Sequence, residues 1–236
     1  DIPRGPIDSN QPTAEPWADY LSWCGHHANA HLLTDDYVLA GARQYYAMIS
    51  LIDECIGNIV AQLDRQNLLD NTLIVYSSDH GEMLGDHGLM AKFNFYRSSV
   101  QVPMIIRPPG GCSGRTSDAL AQLIDIGPTL IDAAGAEALT DIPGTSLMPA
   151  VRSESVGRDM LFSEIQKQSR RANAPMFRCV RNQRYRFTIE TQTQTPCELF
   201  DLEADHQELN NLVGDKQFAP MIASFTEQLN GLLGAS

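Results

Sequence analysis

Ten consecutive residues, Asp79-His80-Gly81-Glu82-Met83-Leu84-Gly85-Asp86-His87-Gly88, hold the densest set of chemically able side chains in the chain. Two aspartates, two histidines and a glutamate fall between Asp79 and His87. An Asp beside a neutral imidazole is donor material for a divalent cation, and a hard carboxylate with one nitrogen suits Ca²⁺, Mg²⁺ or Mn²⁺ better than a thiolate-rich zinc site does. Gly81, Gly85 and Gly88 let the backbone turn and approach a ligand closely. Lys92 is the first cation after this cluster, and its ammonium can hold an anion as a point charge. The plainer readings stand beside these. Asp-His-Gly after a strand is a common turn, a strand-ending Asp can cap a helix, and His87 alone reads as a surface or turn histidine.

The elements that must position these residues follow from periodicity. Thr72-Leu73-Ile74-Val75-Tyr76-Ser77-Ser78 is a β-branched apolar run that reads as a strand buried on both faces, as in a parallel sheet. Asp79 therefore stands at a strand's C-terminal end, the edge where open α/β sheets bind ligands. Upstream, Met48, Leu51, Ile52, Cys55, Ile56, Ile59, Val60 and Leu63 repeat at helical spacing and predict a helix over 35–67. Asp35-Asp36 reads as its start. Residues 1–34 read as irregular, with Pro3, Pro6, Pro12 and Pro16 as breakers, and His26, His27 and His31 read as loop histidines. Downstream, 102–107 predicts a strand that Pro103 places at a start or an edge. Residues 117–124 suggest another strand and 125–134 a helix. Past Gly157 the pattern changes to short strands at 160–165, 176–181, 184–190 and 197–200, then a helix over 217–233. The fold class is α/β, with residues 1–157 as a sheet-and-helix domain and 158–236 as a small antiparallel α+β subdomain.

Composition removes several function classes. The 236 residues carry 17 Lys plus Arg against 29 Asp plus Glu, a net charge of −12. That balance excludes a general nucleic-acid binder and an anionic-membrane binder, both of which need clustered cations. No apolar run is long enough to span a bilayer. The five cysteines form no Cys-x-x-Cys, which excludes a zinc ribbon or a thioredoxin-like motif. Their odd number leaves at least one free thiol and sets no compartment.

Taken together, the motifs from 45 onward resemble the sulfatase family of the alkaline-phosphatase-like superfamily. Tyr46–Gly57 is similar to that family's long helix, Asn71–Glu82 to its strand and metal-binding turn, and Gly85–Lys92 to the segment ending in its sulfate-binding lysine. Val102–Ile106, Asp125–Leu130, Glu198–Asp205 and Asn211-Leu212 follow in family order, so the resemblance covers nearly all of residues 36–232. Asp-His in place of Asp-Asn is similar to the choline-sulfatase-like and iduronate-sulfatase-like branch. The resemblance implies a partial alkaline-phosphatase-like mixed sheet flanked by helices. It implies Asp79 and His80 as metal ligands, with calcium the usual ion and Mg²⁺ or Mn²⁺ as alternatives. It implies Lys92 as the contact to the sulfate oxygens of a small-molecule sulfate ester, and His87 as an acid–base or pocket-lining residue. Arg97 keeps its reading as a surface or packing arginine.

The family's nucleophile is a formylglycine made from the cysteine of a Cys-x-Pro/Ala-x-Arg motif. Cys24, Cys55, Cys112, Cys179 and Cys197 all lack that context. The expectation is therefore the C-terminal half of a sulfuric ester hydrolase, inactive alone and able to self-associate through an exposed sheet edge. Two rivals share the motifs: a phosphonate monoester or phosphodiester hydrolase of the same superfamily, and a non-catalytic domain derived from a sulfatase.

Overall fold

The computed structural model describes residues 15–27, 33–112, 114–137, 140, 142–154, 158–165 and 176–231. They form two compact units. The first is built from the described residues of segments 1–39, 80–101 and 159–236, the second from those of 40–79 and 102–158.

The first unit is organised by a four-stranded antiparallel sheet of β3 (Leu161–Ile165), β4 (Phe177–Arg181), β5 (Tyr185–Glu190) and β6 (Pro196–Asp201), in that order. Side chains alternate across a strand, so the register assigns each row to a face. Val180, Phe187 and Leu199 lie opposite one another and form one face, which α5 (Ala219–Gly231) covers with Phe225 and Leu229. The neighbouring row, Arg181, Arg186 and Phe200, belongs to the other face. Phe177, Cys179 and Cys197 pack there against Trp17, Tyr20 and Cys24 of α1 (Glu15–His27) and against Phe95. The Trp17 ring lies 5.6 Å from Phe95, nearly parallel to it, and 4.6 Å from Phe177, edge-on. Helix α1 corrects the expectation of an irregular N-terminal region. Pro16 falls in the first turn, where a missing N–H costs nothing, and Trp17, Tyr20, Leu21 and Cys24 make a helical apolar stripe with somewhere to go. His26 and His27 fall in its last turn, and His31 lies outside the described residues.

Helix α2 (Asp35–Arg65) starts where Thr34 Oγ1 accepts the Tyr37 amide at 3.2 Å, with Asp35 and Asp36 in its first turn. Its apolar positions are not buried as the periodicity suggested. Leu51 is 60% exposed and Ile59 61%, because no described element packs over that stripe.

In the second unit β1 (Ile74–Ser77) pairs with β2 (Met104–Arg107) in an antiparallel ladder running from Ile74 opposite Arg107 to Ser77 opposite Met104. The parallel, doubly buried strand anticipated from the apolar run is therefore an antiparallel, half-buried one. A parallel pair needs a crossover, usually a full helix. The segment joining β1 to β2 instead contains only two short turns, Asp86–Gly88 and α3 (Arg97–Val100). Residues 117–122 form no strand, and a tight turn over Leu123–Asp125 leads into α4 (Ile126–Ala133). Asp125 anchors that turn. Its buried carboxylate accepts the amides of Gln122 and Thr145 at 2.7 and 2.9 Å and both Arg158 Nη groups at 2.6 and 2.7 Å. Among the described residues no helix is long and apolar enough to cross a membrane.

Candidate functional site

The segment 80–101 of the first unit is shaped by its backbone. Leu84, Gly85, His87, Gly88, Ala91 and Phe93 all take positive φ, four of them residues other than glycine. Such conformations persist only where surrounding contacts hold them, and they cluster at functional segments. The holding contacts are specific. Met83 N donates to Ala91 O and Gly85 N to Leu89 O, both at 2.8 Å. Glu82 Oε1 accepts the amides of Ala91 at 2.5 Å and Leu84 at 3.3 Å, so this carboxylate ties the two ends of the turn together. Ser98 Oγ donates to Asp86 Oδ2. Gly81 N donates to Ser99 O at 2.7 Å, and a Cβ at Gly81 would collide with the Ser98 carbonyl oxygen. At Gly85 the φ of 95° and the Val38 side chain, 3.0 Å from a would-be Cβ, both demand glycine.

This framework brings two of the anticipated residues together. Lys92 Nζ meets His80 Nε2, twelve positions away in the chain. His80 Nδ1 lies 2.8 Å from Gly81 O, which can only accept, so the proton sits on Nδ1 and the lone pair on Nε2. That lone pair is the one a cation would use, and here it takes a hydrogen bond from the Lys92 ammonium. Lys92 also sits 5.7 Å from the ring centroid of Phe93, which is 46% exposed while Asn94, Phe95 and Tyr96 after it are buried. Asp79 is the last residue of the second unit's 40–79 segment; it is exposed, and Ser78 Oγ donates to its Oδ1 at 3.4 Å. One hard carboxylate and one imidazole with its Nε2 lone pair fit a divalent cation as two members of a larger donor set. Among the described residues no three His, Cys, Asp or Glu side chains converge to complete such a set.

His87 is held differently. Its ring stacks on Tyr96 at 3.9 Å with 11° between the planes, and its backbone is left-handed at φ 53°. Burial pushes its proton affinity below the histidine norm, helped by the Arg186 charge and opposed by Glu208, Asp86 and Glu198. Arg97 is exposed and spends its Nε on Gln101 Oε1 at 2.6 Å, a surface role. Burial raises the thiols of Cys24 and Cys179 to about 11 and that of Cys197 to about 12, so none of these three is a ready nucleophile.

The buried charges behind this segment carry no motif of their own in the sequence beyond one. Arg186 bonds Glu208 and Glu198 at 2.5 and 2.8 Å, and these carboxylates push its basicity above the arginine norm although burial works the other way. The alternation Tyr185-Arg186-Phe187-Thr188-Ile189-Glu190 reads as a strand with one wet face, and only the covering of that face by other segments turns Arg186 inward. The one sequence signal was the C-terminal motif containing Glu198.

Comparison with known proteins agrees with the fold. Residues 8–136 match the sulfatase family, and residues 85–234 match the C-terminal family of N-sulphoglucosamine sulphohydrolase. The architecture is a partial alkaline-phosphatase-like α/β fold. The chain belongs to the sulfatase family. It is 37% identical over 183 residues to choline-sulfatase of Rhizobium meliloti (strain 1021), across 76% of this chain and 34% of that protein. Among solved structures it resembles BT4656 in complex with its substrate D-glucosamine-2-N,6-O-disulfate, with a TM-score of 0.76, 27% identity, and coverage of 91% of this chain and 45% of that one. It also resembles the phosphonate monoester hydrolase of Agrobacterium radiobacter, with a TM-score of 0.72, 30% identity, and coverage of 81% and 40%. The chain spans about a third of the length of the curated relatives it matches.

Proposed function

We propose that this chain is the C-terminal half of a sulfuric ester hydrolase. In this reading Lys92 grips the sulfate oxygens, and Asp79 and His80 are two ligands of a divalent cation, with calcium first among the candidates. The observation that carries the proposal is the meeting of Lys92 with His80 on a strained, internally bonded turn, in a chain of the sulfatase family. When bound, the cation supplies positive charge against the developing charge of the transferring group. The chain's own residues do the following. The Gly81 carbonyl fixes the His80 tautomer and ring, so its Nε2 lone pair is turned toward the Lys92 ammonium. Lys92 exchanges that imidazole for a sulfate oxygen and offers charge-assisted hydrogen bonds to it. His87, kept neutral by burial, lines the pocket or takes up a proton. The nucleophile is a formylglycine outside these 236 residues, since none of the five cysteines has the required motif. Self-association through the β1–β2 sheet edge, where Ile105 is 59% exposed, belongs to the same proposal and is read by sedimentation.

The test is kinetic. Alone, the chain should hydrolyse an aryl sulfate at background rate with or without Ca²⁺. Co-expressed with the N-terminal portion of the choline-sulfatase it resembles, cysteine converted, it should turn over. Lys92→Ala in that assembly should lower turnover by roughly 10²-fold, as for loss of a donor to transition-state charge. Turnover untouched by Lys92→Ala would refute the role of Lys92. An assembly that forms but turns over nothing would favour a non-catalytic domain. A second reading, phosphonate monoester hydrolysis, is favoured by the likeness to the Agrobacterium radiobacter enzyme. Sulfate and phosphonate monoesters ask for the same cationic clamp, so faster turnover of the phosphonate would select that reading.

A further inference from the structure

The sheet behind the turn contains charge that the proposed chemistry does not use. Arg186 of β5 is 1% exposed, Glu198 of β6 1% and Glu208 2%. Arg186 Nε donates to Glu208 Oε1 at 2.5 Å, and its Nη1 donates to Glu198 Oε2 at 2.8 Å and Thr188 Oγ1 at 3.0 Å. A well-packed apolar trio would stabilise the fold as well or better, because three charges must be stripped of water. The cluster's contacts run toward the 80–97 segment. Glu208 Oε2 accepts the Arg97 amide at 2.7 Å, 111 positions away in the chain. The Arg186 guanidinium lies 5.2 Å from the Tyr96 ring centroid and 4.7 Å from that of Phe200. Tyr96 in turn carries the stacked His87. Glu208 itself sits at φ 56°, a conformation that a non-glycine residue keeps only where its contacts hold it.

We infer that Glu208 and Arg186 are positioning residues for the turn that carries His80, His87 and Lys92. They fix the Arg97 amide and the Tyr96 ring, Arg186 from β5 and Glu208 from the loop after β6, and Tyr96 fixes His87. The catalytic consequence rests on the sulfate-site reading given above, whereas the positioning is a property of this chain by itself. Each member has a definite task. Glu208 bridges the guanidinium and a backbone amide with its two oxygens, which a neutral acceptor does only in part. Arg186 supplies a cation to the face of Tyr96 and is itself held by two carboxylates. The charged groups that face His87 are Glu208, Asp86 and Glu198 on the acidic side and Arg186 on the basic side. A His87 released from Tyr96 would be rehydrated, and its titration would return to the ordinary value of 6.5. That shift is a readout which general loosening of the sheet elsewhere would not give.

The experiment is NMR on the 236-residue chain, following the His87 titration and hydrogen exchange at the Arg97 amide. In the wild type His87 should titrate below 6.5 and the Arg97 amide should be protected. Tyr96→Leu should return His87 toward 6.5, while Tyr96→Phe should not. Glu208→Ala should speed Arg97 exchange by about tenfold or more, as for loss of a hydrogen bond to a charged acceptor. Glu208→Gln should lose protection to an intermediate extent, since its single carboxamide oxygen can accept from the Arg97 amide or from Arg186 but not replace both carboxylate oxygens. A wild-type His87 titrating at its ordinary value, or a wild-type Arg97 amide exchanging as an open one, overturns the inference without any variant having to fold. An unmoved His87 in a folded Tyr96→Leu overturns it as well. Sulfate binding that fails while these results hold would remove the functional reading and leave the positioning intact.

Discussion

Replacing Asp125 with Ala should destabilise the second unit by about 4 kcal/mol. The carboxylate has no exposed surface and accepts four hydrogen bonds, two from backbone amides and two from the Arg158 guanidinium. Removing one partner of a buried ion pair costs about 3–5 kcal/mol, because the other charge is left without compensation. Arg158 is 14% exposed along its side chain, so it recovers some water and the ion-pair loss falls at the lower end of that range. The orphaned amides of Gln122 and Thr145 add about 1 kcal/mol between them. Asp125→Asn, which keeps the acceptor and loses the charge, should cost about half as much. The assay is urea unfolding followed by hydrogen exchange at the Thr129 and Leu147 amides, which report this unit separately. With a slope of about 2 kcal/mol per molar urea, the midpoint for Asp125→Ala should move by about 2 M. A loss below about 1 kcal/mol, or equal losses for Ala and Asn, would refute the view that Asp125 and Arg158 clamp the turn before α4.

Three further outcomes follow from the same kind of reasoning. Gly81→Ala should cost about 2–3 kcal/mol, since its Cβ would meet the Ser98 carbonyl; an unchanged melting temperature would contradict that packing. Trp17→Ala should cost about 3–5 kcal/mol and unpack the rings of Phe95 and Phe177, which thermal unfolding and aromatic NMR shifts would read. His87 binds its proton less tightly folded than unfolded, so its contribution to stability is complete above pH 6.5 and is lost as pH falls from 6.5 through the folded value. Urea midpoints between pH 8 and 5.5 should therefore fall more for wild type than for His87→Asn, whose asparagine tolerates the left-handed φ; parallel profiles would refute the assignment.

Much of the architecture was legible because local patterns agreed with it. The helix at 35–65, the strands at 74–77 and 104–107 and three strands of the C-terminal antiparallel sheet lie within their expected spans, and the fourth, Pro196–Asp201, overruns its expected 197–200 by one residue at each end. Asp79, His80 and Lys92 stood out because their spacing matched a family motif, and the meeting of His80 with Lys92 follows once the turn's hydrogen bonds are in place. Other features depend on partners distant in sequence. Helix α1 was hidden behind a run of prolines, and its stripe of Trp17, Tyr20 and Cys24 is meaningful only beside Phe177 and Cys197 from the far end of the chain. Arg186 alternates with apolar residues along its strand, and no local signal shows that Tyr96 and Glu208 come to cover it. For α2 the error ran the other way. Its apolar spacing was right for a helix, but spacing reports an amphipathic face and not what packs on it, and Leu51 and Ile59 are exposed.

The central claim, that Lys92 grips sulfate beside His80 as a cation ligand, is tested most directly by titrating sodium sulfate into the isotope-labelled chain, with and without Ca²⁺. The side-chain resonances of Lys92 and His80 should shift together and saturate. Lys92→Ala should abolish the His80 response, and Ca²⁺ should strengthen the sulfate response. Sulfate-induced shifts that never saturate, that appear away from Lys92 and His80, or that survive in Lys92→Ala would contradict it.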